Sequence, residues 1–256
     1  MNAISTKIDV VANNLANANT TAFKSQRVNF EDLLYQEKAQ PGVENANGDQ
    51  RPAGIFVGLG TRVANTDFNL EQGSPIETGQ PLDLLIEGNG FFAVDIAENE
   101  STGIGYTRAG NFFVNREGEM VLGNSNGPRL EPPITIPPNT TAIDVTADGQ
   151  VLATIAGDAQ PTNVGEITLD LFVNPKGLRP IGNNIFVETD ASGPPLEMNP
   201  GEDGAGTLLQ GFLESSNVDP VKELVDLIKA QRTFELNSQT IDAADQALQV
   251  VSNLSR

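Results

Sequence analysis

The longest regular pattern of apolar positions lies at the C-terminal end of the chain, over Asp219–Leu254. Asp219 followed by Pro220 has the form of a helix start: a capping carboxylate, then a proline where the missing N–H is not needed. No Gly or Pro interrupts the stretch afterwards, and apolar residues recur at mixed spacings of three and four. Val221, Leu224 and Ile228 make one such stripe, and Ile241, Ala244, Leu248 and Val251 make another. The pattern predicts one long helix. A helix of this length cannot bury its apolar surface by itself, so it must lie along a partner.

The opposite end of the chain repeats the rhythm. Ile4, Ile8, Val11 and Leu15 step by four, three and four along Asn2–Ala16. Alone, so short a helix is marginal in water. Packed lengthwise on the C-terminal helix, each of these side chains contributes at most ~1.5–3 kcal/mol. The small residues Ala18, Ala22, Ala230, Ala243, Ala244 and Ala247 leave room for close approach of neighbouring helices. The Asn-rich run Ala12–Lys24 then predicts a helix end or turn, because Asn side chains compete for backbone partners.

Between the two helices the pattern changes. Ser25–Tyr35 alternates only in part and fits a strand or a short helix, and Gln36–Pro52 is polar and reads as an exposed loop or hairpin tip. From Ile55 to about Gly211, short apolar runs alternate with Gly, Asn, Asp and Pro, which predicts strands joined by tight turns. The candidate strands are Leu82–Glu87, Phe91–Ile96, Phe112–Asn115, Met120–Leu122, Ile134–Ile136, Ile143–Val145, Val151–Ile155, Ile167–Phe172, Ile185–Glu188 and Leu208–Glu214. The expected fold class is therefore α+β: N- and C-terminal helices pair as a coiled-coil-like stalk around an inserted, mainly antiparallel all-β module. Expected boundaries are residues 1–24 for the first helix, 25–70 for an extended connector with a long hairpin or loop, 71–216 for the β module and 217–256 for the last helix.

Composition narrows the chemistry. The 256 residues include no Cys, His or Trp. Disulfides, thiolate metal sites, Cys nucleophiles and His acid–base catalysis are thereby excluded. Any metal would need oxygen ligands, and DVTADG (Asp144–Gly149) lacks the spacing of a calcium loop. No cofactor or metal is expected. The net charge of −19 argues against nucleic acid and anionic membrane surfaces as partners. No apolar run has the roughly 20 residues needed to cross a bilayer, and MNAISTKIDVV has none of the layout of a secretory signal.

Two other chemistries have candidate residues in the chain. Phe91–Phe92 and Phe112–Phe113 each follow a Gly-containing turn, and paired aromatics of this kind serve either as core residues or as a sugar-binding platform in an adhesin-like module. Glu117/Glu119 and Asp144/Asp148 are carboxylate pairs of the kind a glycosidase uses. Nothing in their spacing separates them from ordinary turn carboxylates, so no catalytic residue is expected.

The motif Ala12-Asn13-Asn14-Leu15-Ala16-Asn17, followed by Thr21-Ala22-Phe23-Lys24, resembles the end of the N-terminal helix in the rod and hook proteins of the bacterial flagellum. Further matches follow in order along nearly the whole chain. Phe30–Gln36 (FEDLLYQ) and Gly58–Val63 (GLGTRV) are similar to distal-rod members. Asp83–Phe92 (DLLIEGNGFF), Tyr106–Gly110 (YTRAG) and Asn174–Leu178 (NPKGL) resemble the family's β region. Gln210-Gly211, Glu214–Val218 (ESSNV), Glu223–Val225 (ELV) and Gln231–Glu235 (QRTFE) resemble its C-terminal end.

The resemblance implies a non-enzymatic subunit that self-assembles into a straight hollow shaft transmitting torque to the hook. Export by the flagellar type III apparatus is implied with it. The implied partners are copies of the chain, neighbouring rod and hook subunits and the L- and P-ring bushing; another rod or hook-type subunit is the alternative within the family. Members usually begin with a short apolar lead before the position of Met1. The expected assembly interface is Ile4, Ile8, Val11 and Leu15 with Val221, Leu224, Ile228, Ile241, Ala244, Leu248 and Val251. A bracing role is expected for the segment marked by Tyr35, Gln40, Pro41, Gly42, Pro52, Gly58 and Gly60.

Overall fold

The computed structural model describes residues 2–42, 52–96, 103–157, 160–202 and 204–254. Helix α1 covers Asn2–Ala16 and helix α2 covers Pro220–Leu254, both where the apolar periodicity places them. Asp219 caps α2 as its sequence predicts: its Oδ1 accepts the backbone N–H groups of Val221 and Lys222 at 3.0 and 3.2 Å. Backbone contacts divide the chain into two units, one of residues 1–16, 26–68 and 219–256, the other of residues 17–25 and 69–218.

In the first unit α1 packs against α2 and against a two-stranded antiparallel ribbon. The ribbon's near half pairs Gln26–Asp32 with Thr61–Phe68, and its far half pairs Tyr35–Ala39 with Ile55–Gly58. Bonds from Leu33 N–H to Gly60 O and from Leu59 N–H to Leu34 O join the halves. The paired strand Gln26–Ala39 reaches about 45 Å at the usual strand rise. Asn14 anchors this ribbon to α1. Buried at 1% exposure, its Oδ1 accepts the Gln26 N–H at 2.9 Å and its Nδ2 donates to Gln26 O at 2.8 Å, so one side chain satisfies both backbone groups of the strand's first residue.

The second unit is built from antiparallel strands over one core. Its largest sheet runs, edge to edge, Leu130–Glu131, Phe92–Asp95, Ile104–Thr107, Ile185–Val187 and Arg179–Gly182. A three-stranded sheet pairs Thr140–Val145, Gln150–Ile155 and Thr162–Glu166. The core contains Leu84, Ile86, Phe92, Val94, Phe112, Met120, Leu122, Ile134, Val151, Ile167, Leu169 and Leu208. Phe92 and Phe112 meet edge-on with centroids 5.2 Å apart. Gly110 is required by close approach: its carbonyl accepts Leu84 N–H at 2.9 Å, and a Cβ there would stand 1.7 Å from Leu84 O.

Several expectations change in detail. Ile134–Ile136 forms only an isolated bridge, Glu119 with Thr135. Leu208–Glu214 is two strands, Thr207–Gln210 and Phe212–Glu214, because Gly211 at φ 79° breaks the run. Ala18 and Ala22 do not lie on a helix. They belong to the turn after α1, and Ala22, at φ 55° and 2% exposed, packs into the core of the second unit.

Candidate assembly interface

The two helices of the first unit differ in length. At the usual 1.5 Å rise, α1 is about 22 Å long and α2 about 52 Å, so α1 can shield at most part of its partner. Along α1, Val11 is buried and Ile4, Ile8 and Leu15 are half-buried. In the motif around it, Ala12, Asn13 and Ala16 are exposed, Asn14 is the buried anchor, and Asn17 opens the turn by accepting Thr20 N–H at 3.1 Å.

Along α2, the residues that lose exposure are Glu223, Asp226, Leu227, Ala230, Asn237 and Ser238. Spaced by about one or two helical turns, they share one face. A hydrogen bond between the Glu223 and Asn14 side chains places that face against α1; burial raises the Glu223 carboxyl above its ordinary range, and the Asn14 bond opposes the shift. Both stripes expected from the sequence stay exposed. Val221, Leu224 and Ile228 are 72, 48 and 51% exposed, and Ile241, Leu248 and Val251 are 48, 67 and 62% exposed, with Ala244 also exposed. Val225, Leu236 and Val250 join them. Val221, Leu224 and Ile228 therefore lie on the side of α2 away from the α1 contact, whereas Ile241, Ala244, Leu248 and Val251 continue the contact side past Ser238, where α1 no longer covers it.

The far half of the ribbon is the second bare surface. Leu34, Tyr35, Ile55, Phe56, Val57 and Leu59 are all exposed, and neither sheet nor helix backs this stretch among the described residues. Gly58 lies against the Tyr35 ring across the pair, and Gly42 and Gly60 adopt φ of 78° and 113°. Gln40, Pro41 and Pro52 are exposed. The tip of the expected bracing segment, residues 43–51, lies outside the described residues.

The competing chemistries resolve on packing. Phe91, Phe92 and Phe112 are 4, 0 and 2% exposed; Phe113 alone of the four is outside, so no aromatic platform forms. Glu119 accepts from Asn115 Nδ2 at 2.9 Å and pairs with Arg129 at 3.1 Å, with Glu117 3.7 Å from the same guanidinium. These are carboxylates tying down a turn.

Paired terminal helices carrying an exposed apolar stripe, around an inserted antiparallel β unit, define the architecture of a flagellar axial subunit. Three family descriptions match successive parts of the chain: flagella basal body rod protein at residues 1–24, flagellar hook protein FlgE/F/G D1 domain at 85–153, and flagellar basal body rod FlgEFG protein C-terminal at 209–254. Relatives extend the match over the full length. Flagellar basal-body rod protein FlgG of Caulobacter vibrioides is 44% identical over 96% of this chain and 93% of its own length. The proteins of the same name from Agrobacterium fabrum and Bacillus subtilis are 42 and 36% identical, over 98 and 100% of the chain and 95 and 96% of theirs. The chain belongs to the flagellar basal-body rod protein family. It is a structural, non-enzymatic component of the basal body.

Proposed function

We propose that copies of this chain polymerise through the exposed stripe of α2, with α1 in support, into the stiff distal part of the rod. The observation that carries this reading is the set of exposed Val, Leu and Ile side chains on α2, from Val221 to Val251, on surface that α1 leaves bare. A single long helix with so much apolar surface in water gains stability when other helices cover it. Each copy offers the same surface, and the contact is head-to-tail: such contacts propagate into a helical tube when the rotation does not close. Torque then passes through side-by-side helices packed along their length.

The ribbon supplies the stiffness in this account. An isolated two-stranded hairpin is marginal in water, so its far half, with Tyr35, Phe56 and Leu59 exposed, gains most by lying on a neighbouring copy. That contact resists sliding between subunits. Neighbouring rod and hook subunits are the expected partners at the ends of the polymer, and the L- and P-rings are the expected bushing around it.

Replacing Leu248 and Val251 with Asp tests the interface. The monomer should keep its helix content, and sedimentable polymer should vanish; polymer formed at the unsubstituted concentration would contradict the interface. Deleting Gln40–Ala53 tests the brace. Curved or flexible filaments are expected, and an unchanged straight tube would refute the bracing role.

A further inference from the structure

In the second unit one carboxylate serves two cations. Glu214 Oε1 accepts from Lys24 Nζ at 2.5 Å and from Gly73 N–H at 2.8 Å, while Oε2 stands 3.7 Å from Arg108 Nη1, beyond hydrogen-bond range. Lys24 also donates to Glu71 O at 2.8 Å, and Arg108 Nη2 donates to Gly88 O at 2.7 Å. All three side chains are buried. Neither Arg108 Nη1 nor Glu214 Oε2 has a hydrogen-bond partner. Burial pushes the Lys24 and Arg108 pKa values down, and the Glu214 charge opposes it in both. One positive charge in this cluster is left unmatched, a costly arrangement without a further anion.

Arg108 is also a wall of a cleft of ≈ 220 Å³ that it shares with Leu70, Asn89, Phe91, Leu171 and Phe172. Its guanidinium lies 5.4 Å from the centre of the Phe91 ring, and Phe91 meets Phe172 edge-on at 6.0 Å. The cleft is thus apolar on most sides and cationic on one. Its surroundings have the opposite sign: this unit holds 6 Lys and Arg against 21 Asp and Glu, a net of −15.

We propose that the cleft is a socket for an acidic side chain of a second copy of the chain. The incoming carboxylate supplies an anion to Arg108, the one cation of the cluster that lines the cleft, and apolar neighbours on the same segment cover Leu70 and Phe172. A second copy is the occupant that charge favours, because every copy presents far more carboxylates than cations. The socket also converts part of the repulsion between two acidic β units into attraction at one point. The proposal rests on the assembly reading above and adds to it a contact in the β unit.

The chain has no cysteine, so Asn89→Cys places a single thiol at the exposed rim of the cleft. Its maleimide labelling should be about tenfold or more slower in polymer than in monomer. Leu70→Trp, which fills the cleft and leaves all three charged residues in place, should leave monomer circular dichroism unchanged and raise the critical concentration for assembly about tenfold. Arg108→Gln should raise it too. A thiol equally reactive in polymer and monomer overturns the proposal, as does a Leu70→Trp chain that assembles normally, even if another protein or free acetate is found to enter the cleft. Failure of the unsubstituted chain to assemble at all would take down the assembly reading, and the socket with it.

Discussion

The helix-and-ribbon unit holds 9 Lys and Arg against 13 Asp and Glu, a net of −4, while the β unit holds 6 against 21, a net of −15. Apolar surface divides the other way. The β unit encloses Phe92, Leu84, Leu130 and Ile167 at or near zero exposure, whereas α2 and the far ribbon leave Val221, Leu248, Val251, Phe56 and Leu59 outside. One unit completes its core within a single chain, and its net charge opposes close packing with other copies except where a cation meets a carboxylate. The other lacks a core of its own and carries little charge to oppose close packing. A monomer with this division has a self-sufficient part and a part whose stability comes from copies of itself.

Substitutions should separate the two parts. Phe92→Ala, which removes a fully buried ring from the β core, should destabilise that unit by about 3–5 kcal/mol in urea unfolding. Loss of α2 helicity in the same transition would show that the units are not independent.

Asp170→Asn should act with the opposite sign. Burial, with Glu197 directly opposite on the paired strand, pushes the Asp170 carboxyl up to about 6 from 3.8. The folded state therefore favours the neutral acid. That preference adds full stability below about pH 4, is lost as pH rises towards 6, and is absent above it. The span is of order 2–3 kcal/mol. The Asn variant should be more stable than the parent at pH 7 and should flatten the curve between pH 4 and 6; a decrease at pH 7 would contradict the assignment.

The smallest effect is expected at Asn14. Asn14→Ala leaves both Gln26 backbone groups without partners, at a cost of about 1–3 kcal/mol confined to the first unit. Faster amide exchange at Gln26, with the β core unchanged, is the expected reading; an unchanged rate would remove the anchor role.

Both helices and many strands of the β unit were legible in the chain, since each buries one regular face. The ribbon was not. Tyr35–Ala39 and Ile55–Gly58 are exposed on both faces, so no alternation of apolar and polar positions marks them. The orientation of α2 was also hidden. Apolar residues lie on several of its faces, so periodicity alone cannot choose between the stripe Val221, Leu224, Ile228 and the face of Leu227 and Ala230 that lies towards α1. The socket depends on Lys24 meeting Glu214 across 190 residues, a pairing no local pattern carries. Asn14 had a local signal, the density of Asn at a helix end, which predicted a turn but not its bonds to Gln26.

Amide hydrogen exchange along residues 239–254 of α2, compared between monomer and polymer, is the most direct measurement of the central claim. In the monomer every residue described with a side chain in this stretch is exposed, and exchange should be fast; on assembly it should slow by orders of magnitude as neighbouring helices cover the stripe. Equal exchange in the two states, or full protection in a clean monomer, would contradict the account.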